Sequence, residues 1–237
     1  MRITWIEPGE PLPDPKHALR EPNGLLAAGR DLGVERLIQA YSNGIFPWYS
    51  DGQPVLWWSP SPRMVLFLDE FAVSRSLRKT LRRHAREGRW RVTLDRDFES
   101  VMRECAMPRP GQEGTWITGE MRAAYLAMHR AGLAHSVEVW CEDELIGGLY
   151  GVSIGRMFYG ESMFARRADA SKAALAALVS LLRTAGFSVI DCQQNTTHLA
   201  SLGAREISRD QFLRIVTRMT SMPAPDWGSL TIALPDT

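Results

Sequence analysis

The stretch "HSVEVWCEDELIGGLYGVSIGRMFYGESMF", His135 to Phe164, decides the fold. Three runs rich in β-branched and aromatic residues, "HSVEVW", "LIGGLYGVSI" and "MFYGESMF", are separated by the short turns "CEDE" and "GR". Connections this short join only antiparallel neighbours, so the stretch predicts a three-stranded meander. The next segment, "ASKAALAALVSLLRTAG", reads as a helix that starts at a Ser171 cap and stops at Gly186, with Leu175, Leu178, Val179 and Leu182 as its apolar stripe. A strand, "FSVIDCQ", then runs into a short helix around "THLASLG", and "RDQFLRIVTRM" closes the domain as a last helix. Upstream, "WRVTL" reads as a strand, with "RDFESVMRECA" and "GEMRAAYLAMHRAG" as helices. Together these elements predict an α/β (α+β) domain with a mixed, largely antiparallel sheet.

The beginning of the chain has a different texture. Residues 1–23 are rich in proline and turn formers, and "LGVERLIQAYSNG" reads as one short helix ending at Gly44. In "GIFPWYSDGQPVLWWSPSPRMVLFL", Phe46, Trp48, Tyr49, Trp57 and Trp58 crowd between prolines, and Asp51-Gly52 marks a hairpin turn. Composition shifts after Pro62, so a small N-terminal α/β domain is expected over 1–62 and a larger one over 63–237.

With 45% hydrophobic and 23% charged residues, the chain has enough apolar side chains for a core and too little charge for intrinsic disorder. No apolar run is long enough to span a membrane, and "MRITWIEPGEPLPDP" lacks the basic start and apolar centre of a signal peptide; the cytoplasm is the expected compartment. Cys105, Cys141 and Cys192 form no CxxC pair, and the histidines show neither HxH nor HExxH spacing, so free thiols and no metal are expected.

Charge is unevenly spread. The segment "RSLRKTLRRHAREGRWR", 75–91, holds eight Arg and Lys against Glu87, in a chain whose formal net charge is only +1. On a helix over 74–87, Arg75, Lys79, Arg82, Arg83 and Arg86 share one side while Leu77 and Leu81 anchor another. A solvated face usually alternates its charges; this one would repel itself unless a polyanion lay against it, which points to a nucleic-acid backbone.

The window "VIDCQQNTTHLASLGA", Val189 to Ala204, offers two chemistries. Cys192 with His198 would be a nucleophile and base, whereas Asp191 with Gln193 would be a hydrogen-bonding pair. Strand alternation sets Ile190 and Cys192 on one face and Val189, Asp191 and Gln193 on the other, which favours a buried thiol and puts the acid–amide pair at a strand's C-terminal end. Glu161 is the one charge in the strand "FYGESMF" and, if buried, needs a partner. Arg166 and Arg167, just before the following helix, read as an anion site, but without P-loop glycines and lysine, which disfavours nucleotide hydrolysis.

In order, "EPNGLLAAGRDL", "GIFPWYSDGQPVLWWSPSPR", "EGTWIT", "HSVEVW", "GGLYG", "FYGESMF", "ASKAAL", "IDCQ" and "HLASLGA" run from about Glu21 to Ala204. This series resembles the leucyl/phenylalanyl-tRNA–protein transferase family. The resemblance implies a small N-terminal domain joined to a GNAT-type acyltransferase domain. It implies transfer of Leu or Phe, and less readily Met, from aminoacyl-tRNA to proteins beginning with Arg or Lys, which marks them for N-end-rule degradation. No metal or nucleotide cofactor is implied. Gln193 would hold the attacking amine, Asp191 would orient and polarise Gln193, and Glu161 would help bind the acceptor or the reacting ends. Leu149, Phe158, Leu175, Leu178, Leu182 and Ile190 would line the pocket for the donor side chain, although alternation leaves Ile190 either pocket or core. Trp48 and Trp116 would stack on the terminal adenosine, while Trp57 and Trp58 belong to the core or the domain junction. Arg75, Arg78, Lys79, Arg82 and Arg83 would grip tRNA phosphates. Many members of the family carry Asn two residues before the histidine, where this chain has Thr196.

Three rival readings fit parts of the pattern. An acyl-CoA-dependent N-acetyltransferase would use the anion site before Ser171. A non-catalytic RNA-binding module would leave Asp191 and Gln193 structural, and a thiol acyltransferase would use Cys192 and His198.

Overall fold

The computed structural model describes residues 3–108 and 115–235. Two sheets organise the chain. In the smaller, β1 (Thr4–Ile6) runs parallel to β2 (Leu25–Gly29), and β2 pairs antiparallel with β4 (Val55–Trp58), which pairs with β3 (Phe46–Pro47). The β3–β4 hairpin turns through Gly52, whose φ of 77° is open to glycine. Helix α1 (Val34–Ser42) connects β2 to β3.

The larger sheet has seven strands, begins at β5 (Arg63–Phe67), and then collects β6 (Trp90–Leu94), β7 (Ala134–Cys141), β8 (Glu144–Ile154), β9 (Met157–Ala165), β10 (Val189–Gln193) and β11 (Arg205–Ile207). Its spatial order is β11-β5-β10-β9-β8-β7-β6. The meander β7–β8–β9 is antiparallel, and in this sheet, among the described residues, only β9 and β10 pair in parallel. A parallel pair needs a crossover, which α5 (Ala170–Thr184) supplies. Helix α5 packs close because Gly147 of β8 has no side chain: a Cβ there would lie 2.6 Å from the Ala170 Cβ.

The sheet is covered on both faces. On one, Val65, Tyr150, Val152, Tyr159 and Val189 pack with α1, α3 (Phe98–Cys105), α4 (Gly119–Arg130) and α7 (Arg209–Thr220), in a cluster that also takes in Ile6, Trp57 and Ile45. On the other, Leu66, Leu149, Phe158 and Ile190 pack with α5 and with α2 (Arg75–Glu87) through Leu77 and Leu81. Helix α2 is capped by Ser74, whose Oγ accepts the Leu77 N–H, and ends at Gly88 with φ 62°.

One boundary differs from the sequence expectation. Asp169, not Ser171, is the N-cap of α5; its backbone is left-handed (φ 66°) and its carboxylate takes Lys172 and Thr80 instead of capping. Ser171 therefore lies within the first turn.

Candidate active site

The parallel pairing of β9 and β10 ends at Tyr159 and Asp191. Just beyond, each strand carries one surplus residue. In β9 the pairing steps from Gly151↔Gly160 to Tyr150↔Ser162, leaving Glu161 unmatched; in β10 it steps from Asp191↔Val65 to Gln193↔Met64, leaving Cys192 unmatched. Bulges re-aim side chains and break alternation. Strict alternation therefore stops at Asp191, and Gln193 takes a left-handed backbone (φ 54°). The two bulges thus bring Gln193 Nε2 to 3.4 Å from Glu161 Oε1, as donor to acceptor. Among the described residues, the Gln193 side-chain oxygen accepts no hydrogen bond.

Asp191 anchors this end of the sheet from below. Its carboxylate accepts Arg63 Nε at 2.8 Å and Arg63 NH2 at 2.6 Å, and both side chains are fully buried. The guanidinium also donates to the Gly44 carbonyl at 3.3 Å and lies over Phe46 and Phe212, 4.7 and 4.4 Å from their centroids. Asp191 Oδ1 further accepts the Gln193 backbone N–H at 3.0 Å. The carboxylate thus fixes Gln193 through the main chain, while the side-chain amide turns to Glu161.

Glu161 has two phenols against it. Tyr41 of α1 lies 2.8 Å from Oε1 and Tyr125 of α4 lies 3.0 Å from Oε2, while the two hydroxyls sit 2.5 Å from each other. Both tyrosines are fully buried. Burial pushes the Glu161 carboxyl up to about 7; the Tyr41 and Tyr125 hydrogen bonds pull it down, the Asp191 charge raises it and Arg63 lowers it. Both phenols are themselves pushed well above their ordinary range, chiefly by burial.

The remaining expected residues fall into distinct places. Leu149, Phe158, Leu175, Leu178, Leu182 and Ile190 are all buried in one cluster, on the face opposite the tyrosines. Trp48 is exposed and meets Trp58 edge-on, whereas Trp57 is fully buried and Trp116 is half-buried against the first core. Their chain neighbours Tyr49 and Thr118 line one concavity of about 390 Å³ with Asp51, Gln53 and Glu120. Arg75, Arg78, Lys79, Arg82 and Arg83 are exposed on α2, and among the described residues no acid pairs with them. Arg86 joins the same surface.

The features behind two rival readings weaken. Arg166 pairs with Glu104 and Arg167 with Glu144, so neither is held open for an anion, and the feature behind an acyl-CoA reading is gone. Cys192 packs with the second core, and burial first, then the Asp191 charge, pushes its thiol up, away from a thiolate. His198 is exposed in α6 (Thr197–Ser201), where Thr196 Oγ1 caps the helix by accepting the Leu199 N–H. Asn and Thr are both good caps, which gives the Thr196 departure a simple physical reading.

Arg63, Tyr41 and Tyr125 escaped the sequence reading. Arg63 alone left a signal, a solitary cation at the head of the apolar run "RMVLF". Among the described residues no three His, Cys, Asp or Glu groups assemble as metal ligands, and no helix is long and apolar enough to cross a membrane.

Residues 65–217 match the family model described as leucyl/phenylalanyl-tRNA protein transferase, and residues 30–61 match the one for that family's N-terminal domain. The leucyl/phenylalanyl-tRNA–protein transferase of Bordetella petrii is 58% identical over 234 residues, covering 97% of this chain and 92% of the relative. That of Chromobacterium violaceum is 58% identical over 224 residues, covering 94% of each. Among solved structures, L-PGS from Bacillus licheniformis is similar with a TM-score of 0.45 and 12% identity, over 83% of this chain and 73% of that one.

Proposed function

The chain belongs to the leucyl/phenylalanyl-tRNA–protein transferase family, and from that premise we propose how its site moves an aminoacyl group and between which partners. It is an aminoacyltransferase that takes its acyl group from aminoacyl-tRNA and delivers it to protein. The donor is Leu- or Phe-tRNA, and less readily Met-tRNA. The acceptor is the α-amine of a protein beginning with Arg or Lys, which the product marks for N-end-rule degradation in the cytoplasm. The chemistry belongs to residues 63–237, read as a GNAT-type domain, with 1–62 as the smaller N-terminal domain.

An aminoacyl ester is already activated, so holding amine and carbonyl together supplies most of the acceleration, and no covalent enzyme intermediate is needed. Gln193 holds the attacking amine on its side-chain oxygen. Asp191 and Arg63 fix the backbone that aims it, and Glu161 orients the amide through Nε2. The single observation that carries this reading is the unengaged Gln193 oxygen beside Glu161, where β9 and β10 part. The donor side chain lies among Leu149, Phe158, Leu175, Leu178, Leu182 and Ile190, entering where these now pack together. Trp48, which is exposed, and Trp116, which is half-buried, stack on the terminal adenosine. The exposed cations of α2 support a phosphate grip.

The test is transfer of labelled leucine from Leu-tRNA to a peptide beginning with Arg. The wild-type protein is expected to label the peptide and Gln193→Ala to lose most of that activity. A wild-type protein that labels no peptide overturns the reading.

A further inference from the structure

Glu161, Tyr125 and Tyr41 form a triangle of three oxygen-to-oxygen contacts, at 2.5, 2.8 and 3.0 Å. Each contact needs one proton between its oxygens. A phenol supplies one, so the two tyrosines fill two sides of the triangle and an ionised carboxylate leaves the third empty. With Glu161 ionised, both phenolic protons point at the carboxylate, and the Tyr41–Tyr125 contact sets lone pair against lone pair. With Glu161 protonated, the count closes: the carboxyl donates to one phenol, that phenol to the other, and the second phenol back to the free carboxyl oxygen.

A count of charge reaches the same answer by another route. The ionisable groups that face Glu161 are Tyr41 from α1, Tyr125 from α4, Tyr150 from β8, Arg63 from β5 and Asp191 from β10. Arg63 is the only cation among these, and Asp191 takes it in a two-point pair. A second anion in this cluster would have no cation of its own, and a partly buried charge without a cationic partner favours its neutral form.

We propose that Glu161 is a neutral carboxylic acid in the resting enzyme, held in a closed ring with Tyr125 and Tyr41, and that it gives its proton to the departing ribose oxygen. The step rests on the transfer reaction proposed above. The acceptor's neutral amine attacks, and a bond forms between its nitrogen and the ester carbonyl carbon. The bond from that carbon to the ribose oxygen breaks, the oxygen keeps the electron pair, and it receives the Glu161 proton. The nitrogen, now carrying one proton too many, returns it to the carboxylate, and the ring is restored with no net gain or loss. Gln193 links the two ends, since its amide is hydrogen-bonded to Glu161 while its oxygen faces the amine. Tyr41 and Tyr125 are positioning residues: they hold the carboxyl in place without touching substrate.

Two measurements test this on the full chain. Protein labelled with 13C at the glutamate side-chain carboxyl is titrated by NMR, with Glu161 assigned by loss of its resonance in Glu161→Gln and by its displacement in Tyr125→Phe. A Glu161 resonance still half protonated at about pH 6 or above supports the ring; one fully ionised by that pH overturns it, because that is ordinary glutamate behaviour. Labelled-leucine transfer is then followed against pH. A proton donor gives a profile that falls as pH rises through the NMR midpoint, and Tyr41→Phe and Tyr125→Phe, each of which opens the ring, move midpoint and fall together. Glu161→Gln lowers kcat by about 100-fold or more and removes that fall. A variant with wild-type kcat, or a fall that stays put in the tyrosine variants, overturns the donor role. Wild-type protein that transfers nothing at any pH refutes the underlying reaction instead, and leaves the NMR result to decide the ring.

Discussion

Replacing Asp191 with Asn keeps the side chain's shape and removes the charge that neutralises Arg63. Both side chains are completely buried and joined by two charge-assisted hydrogen bonds of 2.8 and 2.6 Å. Breaking a pair of this kind strands a cation in low dielectric, at about 3–5 kcal/mol. That is about two to four orders of magnitude in the unfolding constant. The chain holds its own control: Arg205 grips Glu70 with the same two-point geometry, at 2.7 and 3.0 Å, but on the surface. Glu70→Gln should leave the midpoint of urea unfolding essentially where it was, because solvent screens exposed pairs. Asp191→Asn should lower that midpoint sharply with an unchanged slope, the mark of a stability change and not of an altered denatured state. If the two variants shift the midpoint equally, burial is not what gives the Arg63 pair its weight, and the account of how the site is anchored fails.

Neutralising Arg82 and Arg83 together should raise KM for aminoacyl-tRNA and flatten its salt dependence by about one to two in the log–log slope, as expected for phosphate contacts; a slope equal to wild type would remove α2 from the interface. Stability should also carry a Glu161 signature, read as the difference between wild type and Glu161→Gln. Folding raises this carboxyl from 4.5 to about 7, so between those values the unfolded chain releases a proton that the folded one retains. Rising pH therefore costs stability across that window, by about 3 kcal/mol in total, with the full stability present below it and no further change above. A difference that stays flat from pH 4 to 8 would contradict the burial argument. Cys192→Ala should transfer leucine within about twofold of wild type, since a thiol kept protonated by burial is a poor nucleophile; loss of transfer there would revive a thiol mechanism.

Local patterns carried most of the architecture. The meander was legible because each of its strands closes on a neighbour through a short turn, and α2 because capping serine, apolar pair and terminal glycine all lie within one short segment. Gln193 was visible as a polar group at a strand end and Glu161 as the one charge in an apolar strand, and the structure brings them together. What held them was not visible. Arg63 meets Asp191 across 128 positions of chain, and Tyr41 meets Glu161 across 120. No window of sequence contains both partners, and a buried tyrosine looks like any core aromatic until its hydroxyl finds an acid. The bulges hid for a different reason: periodicity assumes one residue per pairing step, and a surplus residue leaves no compositional trace. The Ser171 cap misled because Asp169, two positions earlier, adopts the left-handed backbone that starts the helix.

The surplus position in β10 belongs to Cys192. Burial keeps this thiol protonated, yet without a residue there the strand would continue its regular ladder and Gln193 would not leave it with a left-handed turn toward Glu161. The most reactive-looking side chain in its window thus contributes as a spacer: what it supplies is one increment of chain length, set where the reach of an amide has to be tuned. Any small apolar residue could fill that office, whereas no chemical substitute could make up for its deletion.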